Sequence, residues 1–238
     1  MRAQYNIDRL LTSGQMALHY EDYVLSIQYF NQIISLKPHL YLPWHLRGVA
    51  KYYLDDYVGA ESDATEAMER NPYVKEIYDL RAICRIRQHH YEDAIANYDV
   101  AIRMGPSVQS YRYNRAICLM NIKDYDRALL ETDTIIRRWS SSANTYTLKA
   151  EIYLQMNDTI KATEWLDKSI ELNPYDAGTW TTRAYISLSK KNWRDADEQL
   201  SKAIHLKPKT VGNYLNRAVA RVNYNNLRGA MDDYDMAI

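Results

Sequence analysis

Prolines 38, 72, 106, 174 and 208 are separated by 34 residues or by twice 34, and the place at 140 is skipped. A period that strict marks a tandem array of one unit. Such a unit cannot bury its apolar faces alone, so neighbours must stack and the fold grows along one dimension. The chain is therefore read in register, as seven frames starting at residues 7, 41, 75, 109, 143, 177 and 211, the last incomplete.

Two columns of that register are held small. The eighth position reads Gly14, Gly48, Ala82, Ala116, Ala150, Ala184 and Ala218, and the twentieth reads Ser26, Ala60, Ala94, Ala128, Ala162, Ala196 and Ala230. Small side chains at a fixed offset are what two helices crossing at close range require, because a larger one would overpack the contact. The sixteenth position carries Asp22, Asp56, His90, Asp124, Asp158, Asn192 and Asn226. Asp and Asn accept from the free N–H groups of a helix start, so a second helix is expected to begin there. The proline near position thirty-two then closes the unit, since it has no N–H to continue a helix.

These columns resemble the tetratricopeptide repeat, whose aromatic, small, aromatic, small and proline signature falls on Trp44, Gly48, Tyr57, Ala60, Ala67 and Pro72 in the second frame. Tyr78, Trp180 and Tyr214 occupy the first aromatic place in frames three, six and seven. The resemblance spans nearly all of Ile7 to Ile238. It implies an all-α solenoid, a right-handed superhelix of antiparallel helix pairs, forming a single array over 1–238. It also implies a role in holding other proteins, although one fold hosts many roles.

One column departs from the family pattern. Where leucine is usual, position seven carries Arg47, Arg81, Arg115, Lys149, Arg183 and Arg217. A basic ladder invites an anion-binding reading. Sixteen residues further on, however, stand Asp63, Asn97, Glu131 and Asp233, and a cation at a helix–helix seam must be paired if it is buried. Pairing within each unit is the expectation, with Arg115 on Glu131 as one pair. Trp165 and Gln199 occupy the partner place in frames five and six, which leaves Lys149 and Arg183 as the members expected to be free.

Thirty basic residues balance thirty acidic ones, so no global field recruits nucleic acid or anionic lipid. No apolar run approaches the length of a membrane span, and no secretory leader pattern is present. Cytoplasmic, periplasmic and secreted locations all stay open. Cys84 and Cys118 share one place in adjacent frames, roughly 8–10 Å apart if first helices stack, beyond disulfide reach. They read as buried fillers. Because frame seven stops inside its second helix, the chain reads as part of a longer protein with an uncapped end, through which a second copy could pair.

If the family geometry holds, the first helices line a concave groove with positions two, five, nine, twelve and thirteen. The variety there makes His45, Tyr52, Glu76, Asp79, Tyr113, Ile117, Asn144, Thr147, Glu151 and Tyr185 the candidate peptide-binding residues. Tyrosines offer aromatic surface with a polar tip, the kind that dominates binding hot spots; packing between repeats is the alternative for them. Asn144 and Thr147 are placed to pair with an extended peptide backbone. A subclass of the family clamps a terminal carboxylate with Lys, Asn and Arg. Asn114 and Asn216 match its central Asn, but Asp79, Ile83, Asn144 and Leu148 around Asn114 supply no positive charge, so that clamp is absent.

Catalysis has little support. Histidines 19, 39, 45, 89, 90 and 205 fall on unrelated places, and no metalloprotease, phosphate-loop or nucleophile-elbow motif occurs. His45 and Asp79 on neighbouring first helices read as polar lining. The fourth frame ends irregularly at Arg137–Ser142, a hinge or exposed contact. The expectation is a non-enzymatic scaffold that needs no cofactor and takes a peptide or protein in its groove, with self-assembly as the alternative.

Overall fold

The structure is a computed structural model and describes residues 7–139 and 142–238; Ser140 and Ser141 of the irregular turn lie outside them. It divides into two compact units, Met1–Asp124 and Tyr125–Ile238. The first holds α1 (Ile7–His19), α2 (Tyr23–Leu36), α3 (Tyr41–Tyr53), α4 (Tyr57–Arg70), α5 (Lys75–Arg87), α6 (Tyr91–Met104) and α7 (Gln109–Asn121). The second holds α8 (Tyr125–Trp139), α9 (Ala143–Gln155), α10 (Thr159–Leu172), α11 (Ala177–Ser189), α12 (Trp193–Leu206), α13 (Val211–Asn223) and α14 (Leu227–Met236). No strand occurs among the described residues. The chain belongs to the all-α helical-repeat class, and no helix among the described residues is long and apolar enough to cross a membrane.

Every first helix starts on the first residue of its frame, as the spacing predicts. All fourteen small-column residues are buried. Gly48 shows why: a β-carbon built there would stand 3.1 Å from the Ala60 carbonyl oxygen and 3.0 Å from Leu80 Cδ2. Gly14 faces the Phe30 ring at 2.7 Å on the same construction, and its carbonyl accepts from Ser26 Oγ at 3.1 Å. Around these contacts lie the cores. Ala60, Ala64 and Ala67 of α4 pack on Ile77, Leu80 and Cys84 of α5 in the first unit. Ala150, Ala162, Leu166 and Ile186 form the equivalent centre in the second.

The N-cap column holds for Asp22, Asp56, Asp158 and Asn226, whose side chains accept from the backbone N–H three residues on. The Asp158 carboxyl is drawn below its ordinary range, chiefly by the Lys161 N–H. His90 and Asn192 stand at the cap without such a bond. Immediately before the cap comes a feature that composition only partly signals. Glu21, Asp55, His89, Lys123, Asn157, Lys191 and Asn225 all have φ between 60° and 70°, the left-handed region, and none is glycine. One residue in that conformation reverses the chain between paired helices at a steric cost of roughly 1–2 kcal/mol each.

A second local device ties each unit to the turn before it. The Trp44 and Trp180 indole N–H groups donate to the Pro38 and Pro174 carbonyls at 3.0 and 2.8 Å, and the Tyr78 hydroxyl donates to Pro72 at 3.0 Å. The signature aromatic thus closes the preceding proline turn. The third position distinguishes the units. Pro43, Ile77 and Tyr111 are buried there in the first unit, and Thr145, Thr179 and Asn213 in the second.

Because backbone as well as a side chain limits the space at Gly48, Gly48→Leu is expected to cost at least about 1–3 kcal/mol in urea-induced unfolding. An unchanged midpoint would contradict the close approach.

Candidate functional site

The basic ladder is an internal structure rather than an open surface. Arg47 donates Nη2 to Asp63 Oδ1 at 2.6 Å and Nε to Oδ2 at 2.8 Å, and Lys51 adds a contact to the same carboxylate at 2.9 Å. Arg217 forks onto Asp233 in the same way, and Arg221 joins both Asp233 and Asp197 at 3.0 Å. These are the forward pairs expected from spacing. Arg81 and Asn97 do not form one: the Asn97 amide donates to the Asp93 carbonyl at 2.7 Å, and Arg81 Nη1 lies 3.1 Å from Met68 Sδ.

The expectation that Lys149 and Arg183 are free is overturned. Lys149 Nζ binds Asp133 and sits 3.9 Å from the centre of the Trp165 ring, while Arg183 Nη2 meets Asp167 at 3.4 Å. Both partners lie sixteen residues upstream, on the second helix of the preceding repeat. The same backward step pairs Arg47 with Asn31 at 2.6 Å, Arg115 with Asp99 at 2.5 Å and Arg217 with Ser201 at 2.9 Å. A cation at position seven thus bridges two repeats, a role that a forward search for carboxylates missed.

Apart from Arg81, the position-seven cations described are paired, and the candidate binding groups are those expected on the first helices. In the first unit, Tyr52 is half-buried; its hydroxyl accepts from Arg87 Nε at 3.2 Å. Glu76 is exposed, next to Lys75 at 3.7 Å. His45, Asp79, Tyr113 and Ile117 are half-buried. Among them, His45 Nδ1 and Asp79 Oδ1 are buried with no hydrogen-bond partner. Burial pulls the His45 pKa down against the opposing Glu76 charge, so the imidazole is neutral at pH 7. The carboxylate acting on His45 is thus Glu76, not Asp79 as a direct pairing would have it.

Burial pushes the Asp79 carboxyl up to about 6; proximity to the Tyr98 hydroxyl opposes the rise and the Glu76 charge adds to it. Tyr98, on α6, is fully buried, and its hydroxyl lies near Asp79 and Asn114 without well-formed hydrogen-bond geometry to either. Reading only first-helix positions missed it, since its place in the frame belongs to the second helix.

In the second unit Asn144 is exposed and Tyr185 is half exposed, its hydroxyl accepting from Asn216 Nδ2 at 3.3 Å. Burial raises the Glu151 pKa, a hydrogen bond from Thr182 Oγ1 at 3.3 Å opposes the rise, and Asp176 adds to it. Thr147 departs from its expected role. It is buried, and its hydroxyl is engaged with Ser169 Oγ at 2.9 Å, Thr179 Oγ1 at 2.7 Å and the Ala143 carbonyl at 3.3 Å. That network closes on Asp176, which caps α11 and accepts from the Thr179 hydroxyl at 2.6 Å. Thr147 therefore builds the seam and offers a peptide nothing.

Both cysteines are free and buried, with thiols pushed by burial up to about 12. No group of three or more His, Cys, Asp or Glu side chains that could hold a metal occurs among the described residues.

Comparison with known proteins agrees with this geometry. Residues 80–143 and 143–176 match models of the tetratricopeptide repeat. A tetratricopeptide repeat protein from Parabacteroides merdae is similar with TM-score 0.73 at 16% identity, over 97% of this chain and 86% of that one. The APC/C hetero-tetramer Cut9–Hcn1 is similar with TM-score 0.67 at 14% identity, over 90% of this chain and 42% of that one. Pseudomonas aeruginosa pilF gives TM-score 0.66 at 14% identity, over 81% and 88%. No curated protein matches by sequence. Residues 80–176 are thus tetratricopeptide repeats, and the chain as a whole shares the helical-repeat fold of these structures.

Two consequences are measurable. Asp133→Ala strands the buried Lys149 ammonium beside Trp165 and is expected to cost about 1–3 kcal/mol. Adding Lys149→Met should restore most of that in a double-mutant cycle, and strict additivity would contradict the pairing. Asp79 binds its proton more tightly folded than at its ordinary 3.8, so the stability it contributes is full below that value and is lost as pH rises through about 6. Relative to Asp79→Asn, the wild type should lose on the order of 1–3 kcal/mol between pH 3.5 and pH 7. Parallel pH curves for the two proteins would refute the buried carboxyl.

Proposed function

We propose that the chain is a non-catalytic scaffold that binds an extended peptide or protein segment along the groove that the resemblance predicts on its first helices. The observation that carries this reading is a contrast between surfaces. Most cations of the inter-repeat seam are engaged inside the chain, whereas the first helices keep buried polar atoms without partners in the first unit and exposed apolar and aromatic side chains in the second. Tyr185, Leu215 and Val219 are 51, 42 and 45% exposed, and His45 and Asp79 hold polar atoms that no side chain of the protein satisfies. Buried polar groups in native proteins are normally satisfied, so unpartnered atoms on the first helices of one unit and exposed apolar surface on those of the other each suit a partner, the former one that brings donors and the latter one that brings contact area. Cut9–Hcn1 is a hetero-tetramer, an assembly of the kind this reading assigns to the chain.

A displayed random-peptide library selected on the purified chain tests it. Enriched peptides are expected to share a motif and to bind a Tyr185→Ala, Glu76→Lys variant about tenfold more weakly, with a Lys161→Ala control unchanged. Peptides that bind both variants like the wild type, or a library that yields no shared motif, would refute the groove. Light scattering of the same samples reads the self-assembly alternative, for which exposed Leu227, Met231 and Met236 of α14 provide the surface; a mass rising with concentration would support it.

A further inference from the structure

One neighbourhood of the first unit lacks the cations that hold most buried carboxylates, as does Glu151 in the second unit. Among the carboxylates drawn into helix seams, Asp63 is held by Arg47 and Lys51, Asp233 by Arg217 and Arg221, and Glu61 by Arg85 and Gln88. Although burial alone pushes the Glu61 carboxyl up, those hydrogen bonds more than offset it and leave it below its ordinary range. Asp79 has no such counter-charge. What acts on it are burial, the Tyr98 hydroxyl and a second acid, Glu76.

The groups facing Asp79 come from four helices. The Tyr111 ring of α7 lies 6.3 Å from the Tyr98 ring, centroid to centroid, and feels the charges of Asp79 and then Glu76; Glu76 on α5 also acts on His45 of α3 and on Asp79 itself. Tyr98 of α6 completes the group, fully buried, its hydroxyl unpartnered and its pKa driven up by burial and then by the Asp79 charge. None of these groups is cationic: His45 is neutral and the two phenols hold their protons.

We infer that Asp79 and Tyr98 form the base of an acidic pocket, flanked by Glu76 and His45, that takes the cationic head of a lysine or arginine side chain from the bound peptide. The inference deepens the peptide-scaffold reading and rests on it. An ammonium brings three donors and a guanidinium five, with no acceptor. The pocket offers the complement: Asp79 Oδ1, the oxygen of Tyr98 and, in the tautomer protonated on Nε2, Nδ1 of His45, each without a hydrogen-bond partner. A carboxylate ligand would meet two acids, and Glu76, His45 and Asp79 are not grouped closely enough to hold a metal ion. A peptide amide would supply hydrogen bonds without neutralising the charge, so charge separates it from the cation.

The test uses N-acetyl-lysine methylamide and its norleucine analogue as probes, read by two-dimensional NMR on the full chain at pH 7.5. The lysine probe is expected to shift resonances around Asp79 and Tyr98, and the norleucine probe is not. Asp79→Asn should weaken the lysine probe by about tenfold, and Tyr98→Phe, which removes a single oxygen, should weaken it too. Binding of the lysine probe should fade as pH drops through about 6, where Asp79 takes up its proton. Equal responses to the two probes, or undiminished lysine binding by folded Asp79→Asn, would overturn the pocket. Library peptides that bind the first-helix face with no preference for a basic residue would also overturn it and leave the scaffold reading standing. A lysine probe that binds at Asp79 while the library yields no motif would sustain the pocket and remove the scaffold.

Discussion

Every repeat depends on how closely two backbones can approach at the eighth and twentieth positions. A β-carbon at Gly48 would stand 3.1 Å from the Ala60 carbonyl oxygen, closer than an ordinary contact, and the other frames keep both positions small with Gly14 and Ser26 or with alanine. Close approach brings the flanking rows into register: Arg47 and Arg217 meet a carboxylate in their own repeat and an acceptor in the repeat before, and Arg115, Lys149 and Arg183 meet an acceptor in the repeat before. Steric minimality at one column therefore creates the electrostatic order at the next. That order consumes the cations and leaves carboxylates on the first-helix face without them.

Much of this was legible because it is local. The period, the small columns and the aspartate caps each depend on residues within one frame, and the structure places the first helices at the frame starts. The left-handed residue before each cap left only a partial compositional trace: Asp55, His89, Asn157 and Asn225 are types enriched in that conformation, whereas Glu21, Lys123 and Lys191 are not. Hydrogen-bonded helices on both sides hold each of these residues in place, and that tertiary constraint overrides residue preference.

The site was only half legible for a different reason. Position within a frame identifies which side chains can face outward, but not which are already engaged. Thr147 was indistinguishable from its neighbours until Ser169 and Thr179 appeared on either side of it, and Lys149 looked unpaired because its partner belongs to the preceding repeat. Tyr98 lay outside the columns assigned to the groove, yet it approaches Asp79 from beneath. Contacts between repeats carry no fixed sequence signal, because either unit can supply the acceptor. Asn31, Asp99 and Ser201 do the same work with different chemistry.

The two thiols have a practical corollary. Burial pushes both thiols up to about 12, so the reactive thiolate is scarce at neutral pH, and the same burial denies reagents access. Maleimide dyes should therefore pass over Cys84 and Cys118. A reporter cysteine introduced at an exposed turn such as Lys191 could be labelled selectively in the otherwise native chain, giving fluorescence access to the molecule without disturbing its interior.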